Sequence, residues 1–157
     1  MNRQHREFTS TMRLGGNAAA VFPLLCPVRE YEWIETWDCE VIHTVSGFAE
    51  QDCVFTTRQP KDGPLDTWVV SRYEPGCAIE FIRHNPYRVM RYSITCTADE
   101  GGTSSWRWTQ RVTAINDEGD TVVRAMQQEE FVKQIAALET MLNHYLTNGS
   151  MLRTPPG

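Results

Sequence analysis

The chain's 157 residues suffice for one domain burying about two-thirds of its unfolded surface, and 41% hydrophobic with 22% charged residues is ordinary globular composition. A net charge of -5, with no ten-residue window richer than three or four Lys or Arg, excludes the clustered basic surface that nucleic acid requires. Met1 to Ser10 is polar and no apolar run approaches spanning length, so the expectation is a cytoplasmic protein with no signal peptide and no membrane insertion.

In chain order, Arg6–Leu14 alternates, with Phe8, Met12 and Leu14 on one side, and reads as a half-buried strand. Gly15-Gly16 ends it. Asn17 is a good N-cap for a short helix over Ala18–Leu25, and Pro27 suits the first position of a second, to about Trp33. Strands are expected near Glu40–Val45, Cys53–Arg58, Leu65–Glu74, Cys77–His84, Arg88–Ala98 and Thr103–Ile115. Their separators are Ser46-Gly47, the Pro60–Pro64 loop, Pro75-Gly76, Asn85-Pro86 and Glu100-Gly101-Gly102. From Asp120 to Leu146 runs one helix-compatible stretch, whose Phe131, Ile135, Leu138, Leu142 and Tyr145 form a single apolar stripe. The domain is expected over residues 1–149, with 150–157 a frayed tail.

Strand parity sets registers. A Glu100-Gly101-Gly102 loop puts Trp106 opposite Cys96, Trp108 opposite Ile94 and Gln110 opposite Tyr92. A turn on Asn85-Pro86 puts Tyr92 against Ile79, Met90 against Phe81 and Glu80 against Arg91. The Pro75-Gly76 turn brings Trp68 opposite Arg83 and Val70 opposite Phe81, and gives Arg72 the inward parity as well.

The segments Glu32–Ile42, Gly47–Glu50, Val54–Thr57, Thr67–Val70 and Leu142–Gly149 resemble their counterparts in START-like proteins, the polyketide cyclase/dehydrase and lipid-transport superfamily (SRPBCC). The resemblance runs from about Glu7 to Gly149. It implies an α+β helix-grip fold: a curved seven-stranded antiparallel sheet wrapped around a long C-terminal helix, with two short helices after the first strand. The superfamily carries cyclases, hydrolases, receptors, lipid carriers and chaperone activators on that one scaffold, so no catalytic residue carries over.

On the inward face parity collects Trp68, Phe81, Tyr92, Trp106, Trp108 and Gln110, with Phe131, Ile135 and Leu138 of the last helix above them. Flat aromatic walls with a few polar groups are the usual make-up of a small-molecule site; the same rings could equally fill the space under the helix. Gln110 and Tyr92 either bond each other or face water or ligand. Arg83 either stacks on Trp68 or meets a carboxylate. Glu80, Arg91, Arg107 and Arg111 read as a charged outer ladder. Parity leaves the direction of His43 open.

Five widely spaced cysteines with no C-x-x-C, and four scattered histidines, give neither metal site nor redox motif, and no cofactor is expected. The expected function is binding, transport or sequestration of a small hydrophobic, ring-containing ligand between sheet and last helix. The alternatives are a cyclase or dehydratase-type enzyme, for which no acid–base pair stands out, and a protein-interaction module. Homodimerisation is compatible with either surface.

Overall fold

A computed structural model describes residues 2–58 and 63–154. Seven strands form one antiparallel sheet: β1 (His5–Leu14), β2 (Cys39–His43), β3 (Val54–Thr57), β4 (Asp66–Glu74), β5 (Ala78–His84), β6 (Arg88–Asp99) and β7 (Ser104–Ala114). Their order across the sheet is β1-β7-β6-β5-β4-β3-β2. Between β1 and β2 lie the helix α1 (Ala18–Val21), capped by the Asn17 side chain on Ala20 N, and two 3-10 turns, Phe22–Leu24 and Glu30–Glu32. After β7 come α2 (Asp117–Ala125) and α3 (Gln128–Asn148). The fold is α+β, of the helix-grip type, with the core between the sheet's concave face and α3.

Along the aromatic face the register of β6 with β7 is the predicted one: Trp106 pairs with Cys96, Trp108 with Ile94 and Gln110 with Tyr92. The loop is one residue longer than expected, Asp99 facing Ser104, and a bulge between Cys96 and Ala98 restores the pairing. Trp68 pairs with Arg83 and Val70 with Phe81, also as read. The β5–β6 hairpin differs by two residues, so Phe81 faces Tyr92, Arg83 faces Met90 and Glu80 faces Ser93. Faces survive this shift, because two residues preserve parity. The cause is Pro86. Its fixed φ suits the first central position of a turn and disfavours the second, so the turn centres on Pro86-Tyr87. Asn85 closes it, its side-chain oxygen accepting from Tyr87 N at 2.8 Å and Arg88 N at 3.1 Å.

Three further expectations change. The helix-compatible stretch is two helices, broken at Met126-Gln127, where both residues take extended backbone. Here α2 packs on the end of β7, pinned by Arg3 through Asp117 and Asp120, while α3 crosses to β1. One straight helix cannot do both. A bulge between Val70 and Arg72 reverses β4's parity, so Arg72 points outward and Tyr73 inward, opposite Ile79. At the C-terminal end Thr154 bonds Glu35 through both its amide and hydroxyl, so the described part of the tail is fastened. The Pro60–Pro64 turn lies largely outside the described residues.

Candidate ligand-binding site

The inward residues predicted on the sheet are all brought together. Trp68, Phe81, Tyr92, Trp106, Trp108 and Gln110 are buried on the concave face, with Phe131 and Ile135 of α3 buried above them and Leu138 half-buried. Ring contacts join most of them. Trp68 meets Phe81 edge-on at 5.6 Å, Tyr92 meets Trp108 edge-on at 5.8 Å, and Tyr92 reaches Phe131 at 6.4 Å. Phe55 stacks on Trp68 at 5.2 Å and extends the wall to β3. β3 is only four residues long, and nothing in its sequence pattern singles out Phe55.

The polar atoms on this wall are unevenly served. Trp68 Nε1 donates to Thr57 Oγ1 at 2.8 Å and Trp106 Nε1 to Ser104 Oγ at 2.8 Å. Trp108 Nε1 is buried and meets no acceptor among the described residues. Such an orphan donor costs about 1–3 kcal/mol. Gln110, 4% exposed, stands beside it on the same strand face.

At the β3–β4 end the wall finishes in charge. Arg83 lies over the Trp68 ring at 4.3 Å and also pairs with Asp66 at 2.7 Å, so both readings of this residue hold together. Arg88 takes the other Asp66 oxygen at 2.7 Å. All three side chains are buried, and the paired geometry is what makes their burial tolerable. His43 is exposed, because β2 is the sheet's edge and not a central strand.

At the other end of the concave face opens a cleft of about 550 Å³, walled by Phe22, Leu25, Cys26, Phe48, Tyr73 and Ile79 with Arg29 and Glu32 at its polar side. None of the nine predicted residues lines it, but Phe22 stacks on Trp106 at 6.3 Å, so the cleft and the wall share a boundary. Sequence parity misses it because Tyr73 follows the bulge, and because α1 and the 3-10 turns are too short to show a period. Glu32 accepts from Arg29 Nε at 2.5 Å and from the Tyr145 hydroxyl of α3 at 2.6 Å. Hydrogen bonds led by Ser46, with Val45 and Thr44, hold the Glu50 carboxyl down at about 2 and fix the loop that carries Phe48.

Glu30 behaves differently from its neighbours. Part of the residue is reachable by solvent, yet the carboxyl lies deep enough that burial pushes it up to about 8. Burial likewise raises the thiol of Cys39. No group of three or more potential metal ligands occurs among the described residues, and no described helix is long and apolar enough to cross a membrane.

This architecture, an antiparallel sheet gripping a long last helix over an aromatic wall, is a helix-grip fold. No family model and no curated protein matches the chain. Solved structures do. An aromatase/cyclase, Zhui from Streptomyces sp. R1128, superposes with a TM-score of 0.67 at 13% identity, over 95% of this chain and 100% of its own. Ara h 8.0201 gives 0.64 at 12% identity, over 92% and 100%. DynU16, described as a putative protein in the dynemicin biosynthetic locus, gives 0.61 at 13% over 92% of this chain, which spans only 48% of that one. At these identities the likeness is one of fold.

Proposed function

We propose that the protein binds a small hydrophobic, ring-containing molecule between the concave sheet and its helical cover. Trp68, Phe81, Tyr92, Trp106, Trp108 and Gln110 would contact it from the sheet, and Phe131, Ile135 and Leu138 from α3. The observation that carries this reading is the buried, unpartnered Trp108 N–H on an aromatic wall. Native proteins rarely leave such a donor unsatisfied, and an acceptor oxygen on a flat ligand would engage it. The cleft beside Phe22 adds open volume of ligand size at the end of the same wall.

Tryptophan fluorescence titrated with naphthalene and 2-acetylnaphthalene tests it. A saturable response is expected, and Trp108→Phe should weaken the ketone about 5- to 30-fold, the worth of one such hydrogen bond, while leaving the hydrocarbon unchanged. No saturable response to either probe, together with no small molecule retained in native mass spectrometry of protein from its own host, would sink the reading.

A cyclase or dehydratase-type reaction on such a molecule is a second reading, favoured by the Glu30 carboxyl, which keeps its proton at neutral pH. The interaction-module reading draws on exposed Val41, Ile42, Val45 and Phe48. The bulge between Val41 and His43 interrupts that edge and argues against strand-by-strand docking.

A further inference from the structure

Cys77 and Cys96 are far apart in sequence, and their spacing carries no motif. The β5–β6 pairing brings them face to face. Ala78 is opposite Thr95, so the next pair outward is Cys77 with Cys96, and Cys96 N donates to Cys77 O at 2.8 Å. Residues opposed in this way put their side chains on one face, with Cα atoms about 5.5 Å and Cβ atoms about 4.5–5.5 Å apart. A disulfide spans Cα separations of about 4.4–6.8 Å, which this pair meets, and Cβ separations of about 3.5–4.5 Å, which it reaches by closing about 1 Å.

The pair sits where the regular ladder ends, so that movement is available. Cys77 belongs to the turn after Pro75-Gly76, just outside β5, and its N–H is spent on Glu74 O. Directly beyond Cys96, β6 bulges against β7. The two thiols also differ in access. Cys77 is exposed, whereas Cys96 is half-buried opposite Trp106, its thiol donating to Ala98 O at 3.5 Å. Of the other cysteines, Cys26 and Cys53 are buried, and Cys39 donates to Pro27 O.

We propose that Cys77 and Cys96 are a modification site, closing to a reversible cross-strand disulfide under hydrogen peroxide. The Cys77 thiolate attacks one peroxide oxygen and the O–O bond breaks. Cys77 becomes a sulfenic acid, and the departing hydroxide takes up the proton the thiol has lost, giving water. The Cys96 sulfur then displaces the hydroxyl group, the S–S bond forms, and that hydroxide leaves with the Cys96 proton as a second water. Two electrons pass from the sulfur pair to the peroxide. Drawing two opposed strand positions together strains the link and favours its reduction, so a thiol pool reopens it. Closed, it ties β5 to β6 beside Trp106 and the Tyr73–Ile79 pair, where the aromatic wall meets the cleft.

The test is mass-spectrometric mapping without reductant, after peroxide treatment of the folded full chain, on the wild type, Cys77→Ser and Cys96→Ser. Trypsin isolates each cysteine, in the peptides Tyr73–Arg83 and Tyr92–Arg107. In the wild type these two should be joined, at a rate independent of protein concentration, and excess reduced glutathione should separate them without denaturant. Cys96→Ser should stop at a Cys77 sulfenic acid that dimedone traps, and Cys77→Ser should leave Cys96 reduced. The wild-type map decides alone if either variant fails to fold. Dimedone trapped on wild-type Cys77 as fully as in Cys96→Ser, linkage to Cys26, Cys39 or Cys53, or links only between two chains, would overturn the site. A Cys77–Cys96 link that opens only in denaturant would overturn its reversibility.

Discussion

Asp66 gives both carboxylate oxygens to guanidinium groups, whereas the Glu30 carboxyl accepts from nothing in the described chain. The two show how one protein can bury acids by opposite means, one paired with two guanidinium groups and the other left without a partner, where burial favours its protonated form. The second has a thermodynamic consequence. In the unfolded chain Glu30 ionises near its ordinary 4.5, but in the fold burial raises it to about 8. Between those values the folded state holds the extra proton, so folding stability falls as pH rises through that window. Glu30→Gln removes the slope. Its melting temperature should exceed the wild type's at pH 8, by an amount on the order of 1 kcal/mol or more in stability, and match it at pH 4. Thermal unfolding across that range measures this; an equal difference at both ends would show that Glu30 is not protonated in the fold. Nothing in the sequence marked this residue. A lone Glu in a three-residue turn has no period to place it.

Among the elements, the inner pairings of β4 with β5 and of β6 with β7 are those read from the sequence even though a bulge lies between each and its turn, and only the β5–β6 pairing is displaced. At the β6–β7 turn Gly101 takes φ 82, but Asp99 faces Ser104, so the loop is one residue longer than read, and the bulge between Cys96 and Ala98 returns Trp106 to Cys96 and with it the aromatic face. Pro86 moved the β5–β6 turn by one position and the pairing by two, and the bulge at Ser71 exchanged Arg72 for Tyr73 on the inner face. The break between α2 and α3 has neither glycine nor proline to announce it. It follows instead from where α2 is docked. Asn116 caps α2 on Gly119 N and donates to Pro86 O, while Gly119 lies against the Tyr87 carbonyl. A Cβ at Gly119 would overlap that carbonyl oxygen and its carbon. Alanine normally favours a helix interior by up to about 1 kcal/mol over glycine. Here the overlap reverses the sign, and Gly119→Ala should destabilise by about 1–3 kcal/mol as α2 is pushed off the β5–β6 turn. Urea unfolding decides it: a stabilised variant would mean that α2 does not dock through this contact.

At the scale of the molecule, α3 is both lid and edge cover. Gln128 donates to Thr9 O, Glu139 accepts from Arg13 N, and Asn143 donates to Arg13 O and accepts from Gly15 N, so the free edge of β1 is served by side chains of the helix above it. At its other end Tyr145 ties α3 to the cleft through Glu32. The aromatic wall beneath α3 could be read from parity, because regular strands project alternate residues. The cleft could not, because irregular segments and a bulge build it. The two regions can be told apart in solution. The Arg13 and Gly15 amides are released to solvent when α3 lifts, so a ligand held between α3 and the wall should slow their hydrogen exchange. At a probe concentration of about 100 times its dissociation constant, 2-acetylnaphthalene bound there should stabilise the fold by about 2.7 kcal/mol and slow exchange at both amides by up to about 100-fold where α3 lifts only on unfolding. A ligand confined to the cleft would raise the melting temperature as much. It would leave Arg13 and Gly15 exchanging at the unliganded rate wherever α3 opens on its own, and that outcome would move the site from the wall to the short helices.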